Sequence, residues 1–310
     1  MKNLMKIGFI FFIILISCVL ISCDKNQQTS DSVSQMYRVT CIIPHKDDKA
    51  YWSVIEEGLI DGANDNNIDL KILYPSLNYN TAQMQKLLEM AIASKVDCLI
   101  ISGVEDPSYY ETIQEAIDNG IFVVLVDTDM QKLPNTLYVG SNNYQAGKLL
   151  GENVAKIKNY TANIAIISGD NVFYNLNERF EGLKSVVDNY PNMNIVDIQY
   201  DKFDYGKVQQ IYDSYITNPI IDTIVCLEGT GGMSLNSYIK EKPSDDIFVF
   251  DDTPQAVAGV NNKLFRGLLK QQKYEMGYRV MQEIAKYREK NQIDLVKIYT
   301  DTIFVGASSD

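Results

Sequence analysis

From Tyr37 onward the chain alternates between two hydrophobic periods. The stretches YRVTCII (37–43), KILY (71–74), DCLIIS (97–102) and IFVVLVD (121–127) are short, β-branched and nearly continuous in apolar residues, the pattern of strands covered on both faces. Helical patterns lie between them. In NTAQMQKLLEMAIASK (80–95), Met84, Leu87, Leu88, Ala91 and Ile92 form one stripe, and Asn80 with Gln83 occupies capping-box positions. In DPSYYETIQEAIDNG (106–120), Asp106 is placed as N-cap, Pro107 at the first helical position and Gly120 just past the end. Such a βα repeat predicts a parallel sheet with right-handed crossovers.

After LYVGSNN (137–143) the alternation starts again. Helix-like YQAGKLLGENVAKI leads to strand NIAIISG, a helix through RFEGLKSVVDNY, strand NIVDIQY, helix VQQIYDSYI, strand DTIVCLE, helix MSLNSYIKE and strand DIFVFD. The expected fold is therefore α/β, with two parallel-sheet lobes built in succession. Open sheets of this kind bind ligands beyond the carboxyl ends of their strands. The residues ending the strands here are polar: His45, Ser102, Asp127, Ser141, Glu228 and Asp251.

Ahead of the folded pattern, MKNLMKIGFIFFIILISCVLISCDKNQQTSDSVSQ pairs Lys2 and Lys6 with an unbroken apolar run and then turns abruptly polar. That is the layout of an export signal, although a span of this length also suits a transmembrane anchor. The flanks decide between them. Ser22 before Cys23, with Leu20 three positions upstream, resembles the lipobox of bacterial lipoproteins, in which the cysteine is acylated and becomes the new N-terminus. Cys18 has the same upstream letters, but Val19, Leu20 and Ile21 follow it. Only Cys23 opens onto a polar tether, so residues 1–22 read as signal and 23–36 as tether. The folded part is expected outside the cytoplasmic membrane and tied to it.

Composition narrows the function classes. The formal charge of -12 becomes -14 once Lys2 and Lys6 leave with the signal, and no basic cluster offsets it, which argues against nucleic acid. Cys41, Cys98 and Cys226 each lie inside an apolar, strand-like run without CxxC spacing, so they read as core residues rather than a disulfide framework or a zinc site. The single histidine argues against a metal cage or a Ser-His-Asp triad. Neither a metal nor a cofactor is called for.

The stretches IIPHKDDKAYWSVIEEGLIDGA, VDCLIISGVED, VVLVDTD, YVGSNNYQAGKLLG, NERFEGL, IFVFDDTP and LLKQQKYEMG, in this order, resemble the ribose-type branch of the type I periplasmic binding proteins, from residue 37 to the C-terminus. The resemblance implies two Rossmann-like lobes joined by three crossovers near Ser141, Gln271 and Asp301, with a sugar closed between them. On that reading one lobe comprises 37–141 with 272–301, and the other 142–271 with 302–310. The chain is expected to act as a monomer.

A sugar offers hydroxyls around its rim and C–H groups on its faces, so a pocket stacks aromatic rings on the faces and meets the rim with paired acceptors and donors. Tyr51 and the only tryptophan, Trp52, suit the first task, and by resemblance Phe203 supplies the opposite face. Asp127 and Asp251 match the family's sugar-binding carboxylates, each able to accept from two adjacent hydroxyls. Gln271 matches a hinge glutamine. His45, Lys49, Ser102, Ser141 and Asn177 match further pocket positions, while Arg179 is expected to brace the fold. The family often carries arginine where this chain has Thr128 and Asn177, which weakens any specific claim for ribose. In CLEGTGGMSL the glycine-rich turn lacks the Walker lysine and GxGxxG order, so it is expected to bring Glu228 or Thr230 to the sugar rather than to cradle a nucleotide.

The expected function is a lipid-anchored solute-binding protein that captures a neutral sugar and delivers it to an ABC importer. A sugar-sensing co-receptor for a membrane histidine kinase is the alternative. A glycosidase would need two carboxylates set as acid and base on one bond, whereas the candidates here come from opposing lobes. A sugar-responsive repressor would need a helix-turn-helix where this chain has a signal. Mass spectrometry of the membrane-extracted protein is expected to show an N-terminus acylated at Cys23; a mature chain beginning at Cys18, or one retaining Met1, overturns that assignment.

Overall fold

The structure, a computed structural model, describes residues 36–307 except 47, 132, 134–135, 242–245 and 293–295. The signal, Cys23 and all but the last residue of the tether lie outside the described residues. The elements run β1 (Tyr37–Ile42), α1 (Trp52–Asp65), β2 (Ile68–Leu73), α2 (Thr81–Ala93), β3 (Cys98–Ile101), α3 (Pro107–Asp118), β4 (Phe122–Val126) and β5 (Leu137–Ser141). They continue with α4 (Asn143–Ile157), β6 (Ala162–Ser168), α5 (Tyr174–Val187), β7 (Met193–Tyr200), α6 (Tyr205–Ile216), β8 (Thr223–Cys226) and α7 (Gly229–Tyr238). Last come β9 (Asp246–Phe250), α8 (Pro254–Asn261), β10 (Gly267–Gln271), α9 (Lys273–Lys290), β11 (Lys297–Thr300) and β12 (Thr302–Gly306).

Two sheets result. One has the order β11-β5-β4-β3-β1-β2 and is parallel throughout. The other has the order β12-β10-β9-β8-β6-β7 and is parallel except for its edge strand β12, which runs antiparallel to β10. The α/β expectation therefore holds, with one antiparallel edge that periodicity did not reveal. The chain passes between sheets after Ser141, after Gln271 and between Thr300 and Thr302. In each sheet the strand order reverses at one place, between β1 and β3 or between β6 and β8, and crevices for ligands open at such switch points.

Continuous apolar strands are buried on both faces. Cys98–Ile101 and Phe122–Val126 have no exposed residue, and Cys41, Cys98 and Cys226 are fully buried. In the first lobe (N-lobe) one face packs on α1 and α9 and the other on α2 and α3; in the second (C-lobe) α4 and α5 cover one face, and α6, α7 and α8 the other. Local signals act as read. Asp106 caps α3 by accepting from the Ser108 and Tyr109 amides, and Gly120 takes φ +77° just past its end. Only half of the capping box forms, because Asn80 accepts from the Gln83 amide while the Gln83 side chain accepts from Ser76 and Leu77 instead.

Helices α4 and α5 approach until Gly147 lies against the Arg179 carbonyl and Gly182 against the Tyr144 carbonyl, leaving no space for a Cβ at either glycine. This close packing fixes the height of Arg179. Gly147→Ala is expected to force the helices apart and lower stability by about 1–3 kcal/mol, measured by urea denaturation. Parent-like stability would show that the close approach is dispensable.

Candidate functional site

Strand ends of both lobes converge on a cavity of about 160 Å3. Among the expected residues, His45, Tyr51, Trp52, Ser102, Asp127, Phe203, Glu228 and Asp251 line it, as does Thr230. Asp127 and Asp251 follow β4 and β9, and both take left-handed backbone angles, with φ of 66° and 67°. Non-glycine residues hold this conformation at a cost, which aspartate bears better than most, and it persists where surrounding contacts over-determine it. Here the contacts are explicit. Asp127 accepts from the Tyr51 hydroxyl at one oxygen, and at the other from Thr128 Oγ1 at 2.8 Å and Asn175 Nδ2 at 3.2 Å. Asp251 Oδ1 accepts from Gln271 Nε2 at 2.7 Å.

Beneath the carboxylates lies Arg179, 2% exposed and 4.2 Å above the Phe250 ring. Its Nε donates to Asn143 Oδ1 at 2.8 Å, Nη1 to the Leu227 carbonyl at 2.9 Å and Nη2 to Gln271 Oε1 at 3.1 Å. Ser141 Oγ donates to that same Gln271 oxygen at 2.8 Å. Ser141 and Gln271 thus belong to a buried layer joining two crossovers, behind the cavity rather than on its lining. Arg179 braces the fold as expected, yet it also lines the cavity.

Two further expected residues are placed elsewhere. Lys49 is exposed on the loop before α1 and away from the lining; from that loop it is Asp48 and Tyr51 that face inward, Asp48 Oδ1 accepting from the Ala50 and Tyr51 amides. Asn177 donates to the Asn171 carbonyl at 2.8 Å, outside the cavity. The helix period explains this: Asn175 and Arg179 are four residues apart and share the inner face of α5, whereas Asn177 sits between them on another face.

The aromatic arrangement also differs from a sugar ring held between Trp52 and Phe203. Trp52 is 3% exposed, packs into the N-lobe core and donates from Nε1 to the Tyr79 hydroxyl at 2.9 Å. Tyr79, in the turn just before the Asn80 N-cap of α2, stacks on Phe203 of the C-lobe with centroids 4.2 Å apart and 16° between planes. His45 and Phe173 meet Tyr79 edge-on at 5.5 and 5.8 Å. One face of Phe203 is therefore covered by a ring from the other lobe.

A model of the periplasmic binding protein domain matches residues 39–292. The chain belongs to the periplasmic binding protein family. The D-ribose/D-allose-binding protein of Pseudomonas aeruginosa is 27% identical over 164 residues, and the match covers 51% of each chain; this periplasmic binding protein thus aligns with only about half the length of that relative. Its fold is similar to GanP, a glucose-galactose binding protein from Geobacillus stearothermophilus, with TM-score 0.82 and 23% identity over 88% of this chain and 98% of the other. It is also similar to a chain of the XylFII–LytSN complex, with TM-score 0.79 and 25% identity over 88% and 98%.

Electrostatics in this periplasmic binding protein centre on the two aspartates. Burial raises the Asp127 carboxyl against the pull of Arg179, and it pushes Asp251 up to about 6 against Arg179 and Lys273. Burial, and then the charge of Asp127, hold the Tyr51 hydroxyl well above its ordinary value, so it stays a donor. Sequence reasoning missed Asp48, Tyr79 and Asn175. Tyr79 sits in the turn just before α2, away from the strand ends, whereas Asn175 was recoverable from the helical face of Arg179. Arg179→Met leaves the Asn143 and Leu227 oxygens without the Arg179 donor, Gln271 Oε1 with Ser141 alone, and the aspartates without the guanidinium. A loss of about 3–5 kcal/mol is expected in urea denaturation; a loss below about 1 kcal/mol would contradict this role.

Proposed function

We propose that this periplasmic binding protein is a lipid-anchored carrier that closes its lobes on one neutral pentose or hexose and hands it to an ABC importer. The observation that carries this reading is the cavity itself, where Asp127 and Asp251 from opposing lobes share Arg179 as counter-charge. Such carboxylates suit hydroxyl pairs. With Asp48 and Glu228 also on the lining, an anionic ligand meets repulsion. Asp127 and Asp251 come from different lobes, which fits capture of a whole ligand rather than catalysis on one bond. Names among its relatives, ribose/allose binding and glucose-galactose binding, support the substrate class.

A second reading draws on the XylFII–LytSN complex, in which a chain similar to this one accompanies another protein: the sugar-loaded lobes dock on the outer domain of a membrane histidine kinase. Permease and ATPase genes beside this one would favour import, and kinase and response-regulator genes would favour sensing. Among the described residues no helix is long and apolar enough to cross a membrane; the proposed attachment at Cys23 lies outside them.

Thermal shift against pentoses, hexoses and polyols is expected to identify one class of stabilising sugar. Asp127→Asn and Asp251→Asn should each weaken its binding roughly tenfold to a hundredfold in titration calorimetry, because an amide NH2 faces a hydroxyl that needs an acceptor. No shift across the panel rejects sugar capture, and parent-like affinity in both variants rejects these aspartates as the clamp.

A further inference from the structure

Outside the aspartate–arginine centre, the C-lobe buries a second pair of carboxyl groups. Asp201, just past β7, is completely buried. Its backbone N–H donates to the Ser168 carbonyl at 2.8 Å, and its Oδ1 accepts from the Phe203 amide at 2.6 Å. Lys202 and Phe203 both take left-handed backbone angles, with φ of 57° and 60°, so this hydrogen bond holds a strained turn. Among the described residues no N–H or hydroxyl reaches Asp201 Oδ2. The group that acts most strongly on the buried Asp201 carboxyl is the Glu228 carboxyl, itself buried in the same lobe.

Two carboxylates cannot sit together in a buried space with both charges retained, because desolvation and mutual repulsion act in the same direction. One proton between them resolves the conflict. Which group holds it follows from their other partners. Glu228 is the N-cap of α7, taking the Thr230 amide at Oε2 (2.6 Å) and the Gly231 amide at Oε1 (3.1 Å), and a helix N-terminus favours the charged form. Asp201 has a single amide partner. We propose that Asp201 is a positioning residue of the cleft: as the neutral acid it donates to the Glu228 carboxylate and accepts from Phe203 N–H, fixing the cavity-lining carboxylate and the cross-lobe ring with one shared proton.

The surrounding groups agree. Burial, and then Glu228, push Asp201 up to about 9, while Lys207 from α6 pulls the other way. The Cys226 thiol of β8 is raised by burial and then by these two carboxyls. Across the cleft, Tyr79 and Asp48 add no positive charge; Tyr205 opens α6 on the same side, and Lys202 is bridged to Asp170 at 2.8 Å. His45 and Arg179 line the same cavity, but the cation whose pull on Asp201 is felt is Lys207, which does not remove the need for the proton. It follows that alkaline conditions loosen the Phe203 turn. Because Phe203 stacks on Tyr79, and Tyr79 accepts from Trp52 Nε1, the single tryptophan reports that turn without any added sugar.

The sign of the pH effect is fixed. A carboxyl raised above its ordinary value of 3.8 keeps in the native state a proton that the unfolded chain releases, so its contribution is complete at acid pH and is lost as pH rises toward about 9. The test compares the mature protein with Asp201→Asn, whose amide keeps a donor toward Glu228 and an acceptor toward Phe203. The parent's melting temperature is expected to fall relative to the variant by on the order of 2 °C per pH unit across that window. Infrared spectra of the parent at neutral pH should show a protonated-carboxyl band that vanishes in Asp201→Asn, and Trp52 emission should shift at alkaline pH in the parent alone. Asp201→Ala, lacking both functions, should melt below Asp201→Asn at every pH. A melting difference independent of pH, or no protonated carboxyl in the parent at neutral pH, overturns the proposal. The parent spectrum decides the matter even if a variant folds poorly. None of these measurements involves a sugar, so their outcome is separate from the capture reading.

Discussion

A buried guanidinium must be surrounded by acceptors and counter-charge, and the centre of this molecule is arranged around meeting that demand for Arg179. Removing such a charge from water costs several kcal/mol unless each donor finds a partner. The partners come from distant parts of the chain: Asn143 at the start of α4, the carbonyl of Leu227 after β8, and Gln271 at the end of β10. Gln271 then receives Ser141 and binds Asp251. Two of the passages between lobes are thereby fixed to one side chain, and the left-handed backbone of Asp251 is held by what it must reach.

The two lobes solve the same packing problem twice. In the N-lobe, Gly58 and Gly277 bring α1 against α9; in the C-lobe, Gly147 and Gly182 bring α4 against α5. Each strand-end aspartate takes the same strained angle. The chemistry nevertheless diverges. The N-lobe aspartate collects hydroxyl and amide donors, whereas the C-lobe aspartate reaches the crossover glutamine and lies near Lys273, whose Nζ bonds Asp252 at 2.5 Å and the Ala50 carbonyl at 2.9 Å. A repeated scaffold thus carries different polar shells, because backbone packing constrains glycine and apolar positions while leaving strand-end residues free to vary.

The fold was legible because fully covered parallel strands force continuous apolar runs, which turns and caps then delimit. Of the strand-end candidates all but Ser141 line the cavity for the same reason. The expectations that failed are those where side-chain direction decides the outcome. Asn177 and Asn175 are indistinguishable by composition, and only their phase relative to Arg179 separates them. Trp52 looked like a stacking ring because it is large and stands beside the cleft, but its indole lies in the core and presents its N–H to Tyr79. The Asp201–Glu228 pair comes from different βα units, so no local pattern could disclose it.

The contacts across the cleft differ in kind from those at the crossovers. Ser141 and Gln271 lie where the chain passes between lobes, with Arg179 of α5 bonded to Gln271, so a rotation about those passages would leave their hydrogen bonds nearly intact. Asn175 to Asp127, Tyr79 on Phe203, and the Glu105 amide to the Val172 carbonyl at 2.9 Å exist only while the lobes meet. Asp127 belongs to this second set. A carboxylate offers about four acceptor positions, and three here are filled by Tyr51, Thr128 and Asn175, the last from the opposite lobe. A hydroxyl ligand would complete the fourth. On the capture reading, ligand and cross-lobe contacts would meet on the same carboxylate of Asp127, above the buried layer of Arg179, Gln271 and Ser141.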